Sequence, residues 1–106
     1  MILHLAVFTW NDSVTDADVE ELTDALTTMA RGIPELHSYI AGPNLRLRPG
    51  GDYAVAAIVE DEEGLAAYLD SPAHQSVYER HLGRMIAQRS AAQLPLDAGS
   101  FRAPQE

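Results

Sequence analysis

Apolar residues fill most positions from residue 2 to residue 10. Strand alternation sorts them into two sets: Ile2, His4, Ala6, Phe8 and Trp10 on one side, Leu3, Leu5, Val7 and Thr9 on the other. Both sets are largely apolar, which predicts a strand buried on both faces. Asn11-Asp12-Ser13 then supplies turn chemistry. A helical period follows, with Val19, Leu22, Leu26 and Met29 on one stripe and Asp18, Glu21, Asp24 and Thr28 opposite. Thr15 reads as the N-cap, and Thr15-Asp16-Ala17-Asp18 as a capping box with Asp in place of Glu. The helix is expected to reach about Ala30, where Gly32 and Pro34 stop it.

A second strand is predicted over residues 36–41, with His37, Tyr39 and Ala41 on one face and Gly42-Pro43-Asn44 breaking it. The connection over 45–52 holds Arg46, Arg48 and Pro49-Gly50-Gly51. The third strand, 53–60, is rich in alanine (Ala54, Ala56, Ala57), which leaves space near the sheet. A short helix over 62–69 turns Leu65, Tyr68 and Leu69 inward. Ser71 caps the next helix and Pro72 is its first residue, where a missing N–H costs nothing. That helix is predicted to run to about Arg89, with His74, Tyr78, His81 and Met85 on one side and Val77, Leu82 and Ile86 widening the apolar face. Residues 91–96 read as a fourth strand, which Pro95 confines to an edge or a strand end.

The order β-α-β-β-α-α-β predicts an α+β, ferredoxin-like domain over residues 1–98, with a four-stranded antiparallel sheet and a polar tail over 99–106. Its helices can cover only one face of the sheet. The other face is greasy too, and an uncovered sheet of that size would be a large sticky patch. A second copy of the same sheet is the simplest cover, so a two-fold homodimer is expected.

Composition narrows the function. Sixteen acids against seven arginines, with no lysine, leave a net charge of −9, the opposite of a phosphate-binding surface, so no nucleic-acid partner is expected. The acids gather at predicted helix starts (Asp16, Asp18, Glu20; Glu60, Asp61, Glu62, Glu63), where they favour the helix dipole. Cysteine is absent, which removes disulfides, thiolate nucleophiles and thiolate metal sites. The four histidines lack metal-site spacing, so no metal is expected. Without a Gly-rich phosphate loop, no organic cofactor is expected either. No apolar run is long enough to span a bilayer and no basic n-region precedes one. The expectation is a cytoplasmic protein with no membrane partner.

The candidate chemistry lies in Ala67-Tyr68-Leu69-Asp70-Ser71-Pro72-Ala73-His74-Gln75. His74 falls in the first turn of its helix, six residues after Tyr68. The partial positive charge at that helix end opposes protonation of the imidazole. A neutral imidazole near pH 7 can accept a proton, as a general base must. An ordinary polar residue on a surface helix is the plainer reading of His74. His4, alone in an apolar strand, reads as a satisfied interior histidine or, if it shares a cavity with Phe8 and the His74 helix, as part of a site. His81 reads as pocket-lining or structural, His37 as structural, and Arg46 and Arg48 as surface charge or a clamp for an anionic arm. Leu22, Leu26 and Met85 read as core that can double as ligand contacts.

Met1-Ile2-Leu3-His4-Leu5, Ile33-Pro34-Glu35-Leu36, Gly42-Pro43-Asn44-Leu45, Asp52-Tyr53-Ala54-Val55 and the segment from Tyr68 to Gln75 together resemble the Dabb family, the stress-responsive α/β barrel domain. The resemblance implies a dimeric α/β barrel with a cavity between the sheet and the helices of each protomer. It extends to plant polyketide cyclases of the olivetolic acid cyclase type, which close a poly-β-keto thioester by an intramolecular aldol step. There the Pro-Ala-His histidine is the base and the preceding tyrosine orients or polarises the substrate. Those positions match His74 and Tyr68, and a cavity-lining strand histidine matches His4. The chain departs from the cyclase pattern at Val55 and Leu26, which replace polar residues, and at Ser71, where the family commonly has histidine.

The expected site therefore has His74 and Tyr68 as catalytic groups and His4, Ala6, Phe8, Leu22, Leu26, Ala57, His81 and Met85 around a small apolar molecule, a ketone or polyketide-like compound. Three functional readings follow: a cofactor-independent cyclase or lyase, a non-catalytic ligand-binding or structural module, and a cofactor-free monooxygenase relative.

Overall fold

The computed structural model describes residues 1–102. Its elements run β1 (Ile2–Trp10), α1 (Asp16–Arg31), β2 (Leu36–Pro43), β3 (Tyr53–Val59), α2 (Glu62–Leu69), α3 (Pro72–Val77) and β4 (Ile86–Pro95). A π-type turn (Tyr78–Leu82) and a last helical turn (Gly83–Met85) carry α3 into β4. The strands form one antiparallel sheet in the order β2-β3-β1-β4. This is the expected ferredoxin-like α+β arrangement.

α1 begins as the sequence predicts. The Thr15 hydroxyl accepts from the Asp18 amide at 3.1 Å, and the Asp18 carboxylate accepts from the Thr15 amide at 3.0 Å. Its apolar stripe then buries Leu22, Leu26 and Met29 against the sheet. The inward face of the sheet brings Phe8, Tyr53, Val55 and Ala57 to meet them. The Tyr53 hydroxyl is satisfied inside this core, 2.8 Å from the Thr23 hydroxyl, which itself donates to the Val19 carbonyl.

Two element boundaries differ from the sequence reading. β2 continues through Gly42 and Pro43 rather than breaking there, and Pro43 pairs with Tyr53. β2 is an edge strand, so the N–H that proline lacks is not needed by a neighbour. The larger difference is β4. The helix predicted to reach Arg89 gives way to strand at Ile86. The Asn11 amide donates to the Met85 carbonyl and its side-chain amide to the Arg84 carbonyl, both at 2.8 Å, closing the helix end. Residues beyond it gain a full ladder along β1, from Trp10 opposite Ile86 to Ile2 opposite Pro95. Helical spacing of the apolar residues yields here to long-range strand pairing. Pro95 stands at the strand end, as expected. Of the polar tail predicted over 99–106, residues 99–102 lie in turns closed by Asp97 and Ser100; residues 103–106 lie outside the described residues.

The helices lie on one face only, and the protein is 19 Å across its thinnest axis, the depth of two layers. The other face of the sheet carries Leu5, Val7, Ile40, Ala54 and Ala56, which line a shallow apolar groove. Ile40 is 71% exposed and Leu94 51%.

Replacing Thr15 with Ala removes the hydroxyl half of the α1 capping box and leaves the residue-15 amide donating to Asp18. The expected cost is about 1 kcal/mol of unfolding free energy, read from urea denaturation.

Candidate active site

The site is built where α3 starts over the inward face of β1. The Ser71 hydroxyl accepts from the His74 amide at 3.1 Å and donates to the Tyr68 carbonyl at 2.9 Å. Ser71 thus caps α3 and ties it to the end of α2, and Pro72 takes the first helical position. This short hinge sets the Tyr68 and His74 rings edge to face, 5.1 Å between centroids. Tyr68 is buried, and its ring also meets His4 on β1 at 6.4 Å and Tyr39 on β2 at 6.3 Å, again nearly perpendicular.

These rings line one cavity of about 50 Å³. Ala6, Phe8, Leu26 and Val55 form its apolar floor and walls; Leu69, Tyr78 and Leu82 close the helix side. Arg89 and Ala91, on the inward face of β4, form its edge. By this measure a single water occupies about 10–15 Å³, so the cavity admits a few non-hydrogen atoms of a ligand without rearrangement.

Of the expected site residues, the fold brings together His74, Tyr68, His4, Ala6, Phe8 and Leu26. Leu22, Ala57 and Met85 are instead sealed in the core, at 0–1% exposure. His81 lies apart, in an open groove with Asp24, Ala25 and Arg80. The π-type turn from Tyr78 to Leu82 explains this: it is wider than an α turn, so His81 is not carried round to the His74 side. Gly83 suits that turn, because a Cβ there would stand 3.2 Å from the Tyr78 carbonyl oxygen. His37 is outside the site, at a register shift in β2, 3.3 Å from Glu60. Arg46 bridges to Asp52 at 2.7 Å, and so serves the loop.

The sequence reading missed Tyr39, Arg89 and Tyr78 as cavity groups. Tyr39 carried a signal: it sits on the inward face of β2, opposite Ala57. Arg89 carried none while its segment read as helix.

Electrostatics favours an uncharged imidazole pair. Burial lowers the His74 pKa, helped by the nearby His4 and Arg89; the Leu69 backbone and Asp70 push the other way without reversing it. Burial likewise lowers His4, with Arg89 adding to it. The neutral His74 expected from sequence is thus produced chiefly by desolvation rather than by the helix end. His4 Nδ1 lies 2.9 Å from the Gln93 side-chain amide nitrogen, so in this amide orientation Gln93 donates and the His4 proton sits on Nε2. Burial raises Tyr68 above the usual phenol value, so its hydroxyl remains a donor throughout the neutral range.

Among the described residues no group of three or more His, Cys, Asp or Glu side chains is placed to hold a metal ion. No described helix is long and apolar enough to cross a membrane.

Residues 2–93 match the family model of the stress responsive A/B barrel domain, Dabb. The chain belongs to the Dabb family. This Dabb protein is 33% identical over 79 residues to an uncharacterized protein of Streptomyces coelicolor, a match covering 72% of this chain and 81% of that one. It superimposes on a dimeric ferredoxin-like protein of unknown function from Thermobifida fusca with a TM-score of 0.83 and 41% identity, over 90% of each chain. A hydroxynitrile lyase from Passiflora edulis shares the fold, with a TM-score of 0.76 over 92% of this chain and 94% of that one, at 10% identity.

Both site histidines have native pKa values below 6.5, so the unfolded chain binds more protons as pH falls through that value. Their contribution to stability is complete above pH 6.5 and is lost as pH drops towards and through the native values. Unfolding midpoints measured from pH 8 to pH 5 should therefore fall on the acid side. In a His4→Gln, His74→Gln double variant that acid slope should flatten.

Proposed function

We propose that this Dabb protein is a homodimer whose protomers each bind a small ketone in the His74 cavity and activate it by proton transfer. The observation that supports this is the meeting of His74, Tyr68 and His4 around one apolar hollow, with Tyr68 and His74 at 5.1 Å. The neutral His74 removes a proton from carbon α to the carbonyl and becomes imidazolium. The C–H electron pair moves into an enolate, whose oxygen accepts from the Tyr68 hydroxyl. The enolate carbon then attacks a second carbonyl to form the new C–C bond, and the resulting alkoxide takes the proton back from His74. A fold shared with a lyase is compatible with such chemistry.

The size of the cavity favours a short ketone over an extended poly-β-keto chain. The same compactness, with Leu26 and Val55 on its walls, supports a second reading, a ligand-binding module without turnover.

Exchange of α-hydrogens for deuterium in butan-2-one and pentane-2,4-dione, followed by NMR, tests the base directly. The protein should accelerate exchange over buffer, and the rate should rise with pH to a plateau through a midpoint below pH 6.5, because His74 loses its proton there. His74→Ala should lower the rate about 10²-fold or more, and Tyr68→Phe by less. Binding without accelerated exchange would favour the module.

The dimer covers the apolar groove of Leu5, Val7 and Ile40. Sedimentation should give twice the chain mass, and Ile40→Asp on the exposed sheet face should yield the single protomer.

A further inference from the structure

The polar groups around the cavity have a common bias. His4, His74, Tyr39, Tyr68 and Arg89 line it, and among the described residues no Asp or Glu does. Arg89 comes from the inward face of β4, directly opposite Phe8. It has no carboxylate partner among the described residues, whereas Arg46 and Arg84 pair with Asp52 and Asp18. Its charge reaches inward far enough to act on both histidines. The Tyr39 hydroxyl is the second unused group. It is buried beside the Tyr68 hydroxyl without a well-formed hydrogen bond, in contrast to Tyr53, whose hydroxyl is closed off by Thr23. An orphaned buried hydroxyl costs stability unless something else in the site completes it.

We propose that the ligand is a small keto acid, with its carboxylate on Arg89 at the cavity edge and its ketone oxygen inside, accepting from the Tyr68 hydroxyl with the Tyr39 hydroxyl as a second donor. This deepens the proposed function, resting on the same cavity, by assigning the ligand a negative charge and naming Arg89 as the residue that selects it. A guanidinium presents two parallel N–H donors to a carboxylate, which distinguishes an acid from its amide of equal size. Near Arg89, with both histidines neutral, one negative charge is matched by one positive charge.

The test compares 4-oxopentanoate with 4-oxopentanamide, a pair of the same shape differing in charge, by NMR titration in low-salt buffer without competing anions. The acid should bind at least about tenfold more tightly than the amide, as expected for one charge-assisted contact. Arg89→Gln should abolish that preference by weakening the acid alone, while Arg89→Lys keeps part of it. Tyr39→Phe should weaken both compounds by a similar factor. Thermal unfolding of each variant establishes that it is folded. Equal affinity of acid and amide for the native protein would overturn the proposal while leaving the ketone cavity standing. A preference that survives Arg89→Gln would overturn it as well. Failure of both compounds to bind would sink the cavity reading along with it.

Discussion

The pairing of β4 with β1 is the contact on which the rest of the site depends. β1 is central in the sheet, bonded to β3 on one side and β4 on the other. Its register with β4 begins at Trp10 and Ile86, immediately after the helix. The chain must therefore leave its helix at Met85, where Asn11 takes up the free carbonyls. The same pairing fixes the inward face of β4, setting Gln93 beside His4, Ala91 beside Ala6 and Arg89 beside Phe8. One ladder thus terminates a helix, satisfies a buried histidine and delivers a cation to the edge of the cavity.

The hinge at Ser71 is the complementary constraint. Its hydroxyl serves two backbone groups at once, the His74 amide and the Tyr68 carbonyl. Desolvation by the surrounding apolar walls then keeps the imidazole uncharged. Position and protonation state thus have separate origins, a local cap for one and the assembled core for the other.

Much of this was legible in the chain. Alternation in β1 and β3, the Thr15 capping box and the Leu22, Leu26 and Met29 stripe each follow from local chemistry. The Ser71 cap with Pro72 behind it was equally local. β4 was not legible as a ten-residue strand, because Ile86-Ala87-Gln88-Arg89-Ser90-Ala91 has a single β-branched residue and continues a helical apolar spacing. Its conformation is imposed by β1, so Arg89 was lost with it. The fate of His81 depends on the wider turn after Val77, which no spacing rule announces. Leu22, Ala57 and Met85 were placed on the correct side of the sheet, yet they pack into the core and do not line the cavity. Burial of that kind follows from the fit of several elements rather than from one pattern.

Pro43 and Pro95 each close one of the two outer strands. A strand that ends in a residue without an N–H is a poor template for foreign backbone. Lateral accretion into larger sheets is thereby discouraged at both rims. The apolar face opposite the helices is left as the surface open to broadside contact.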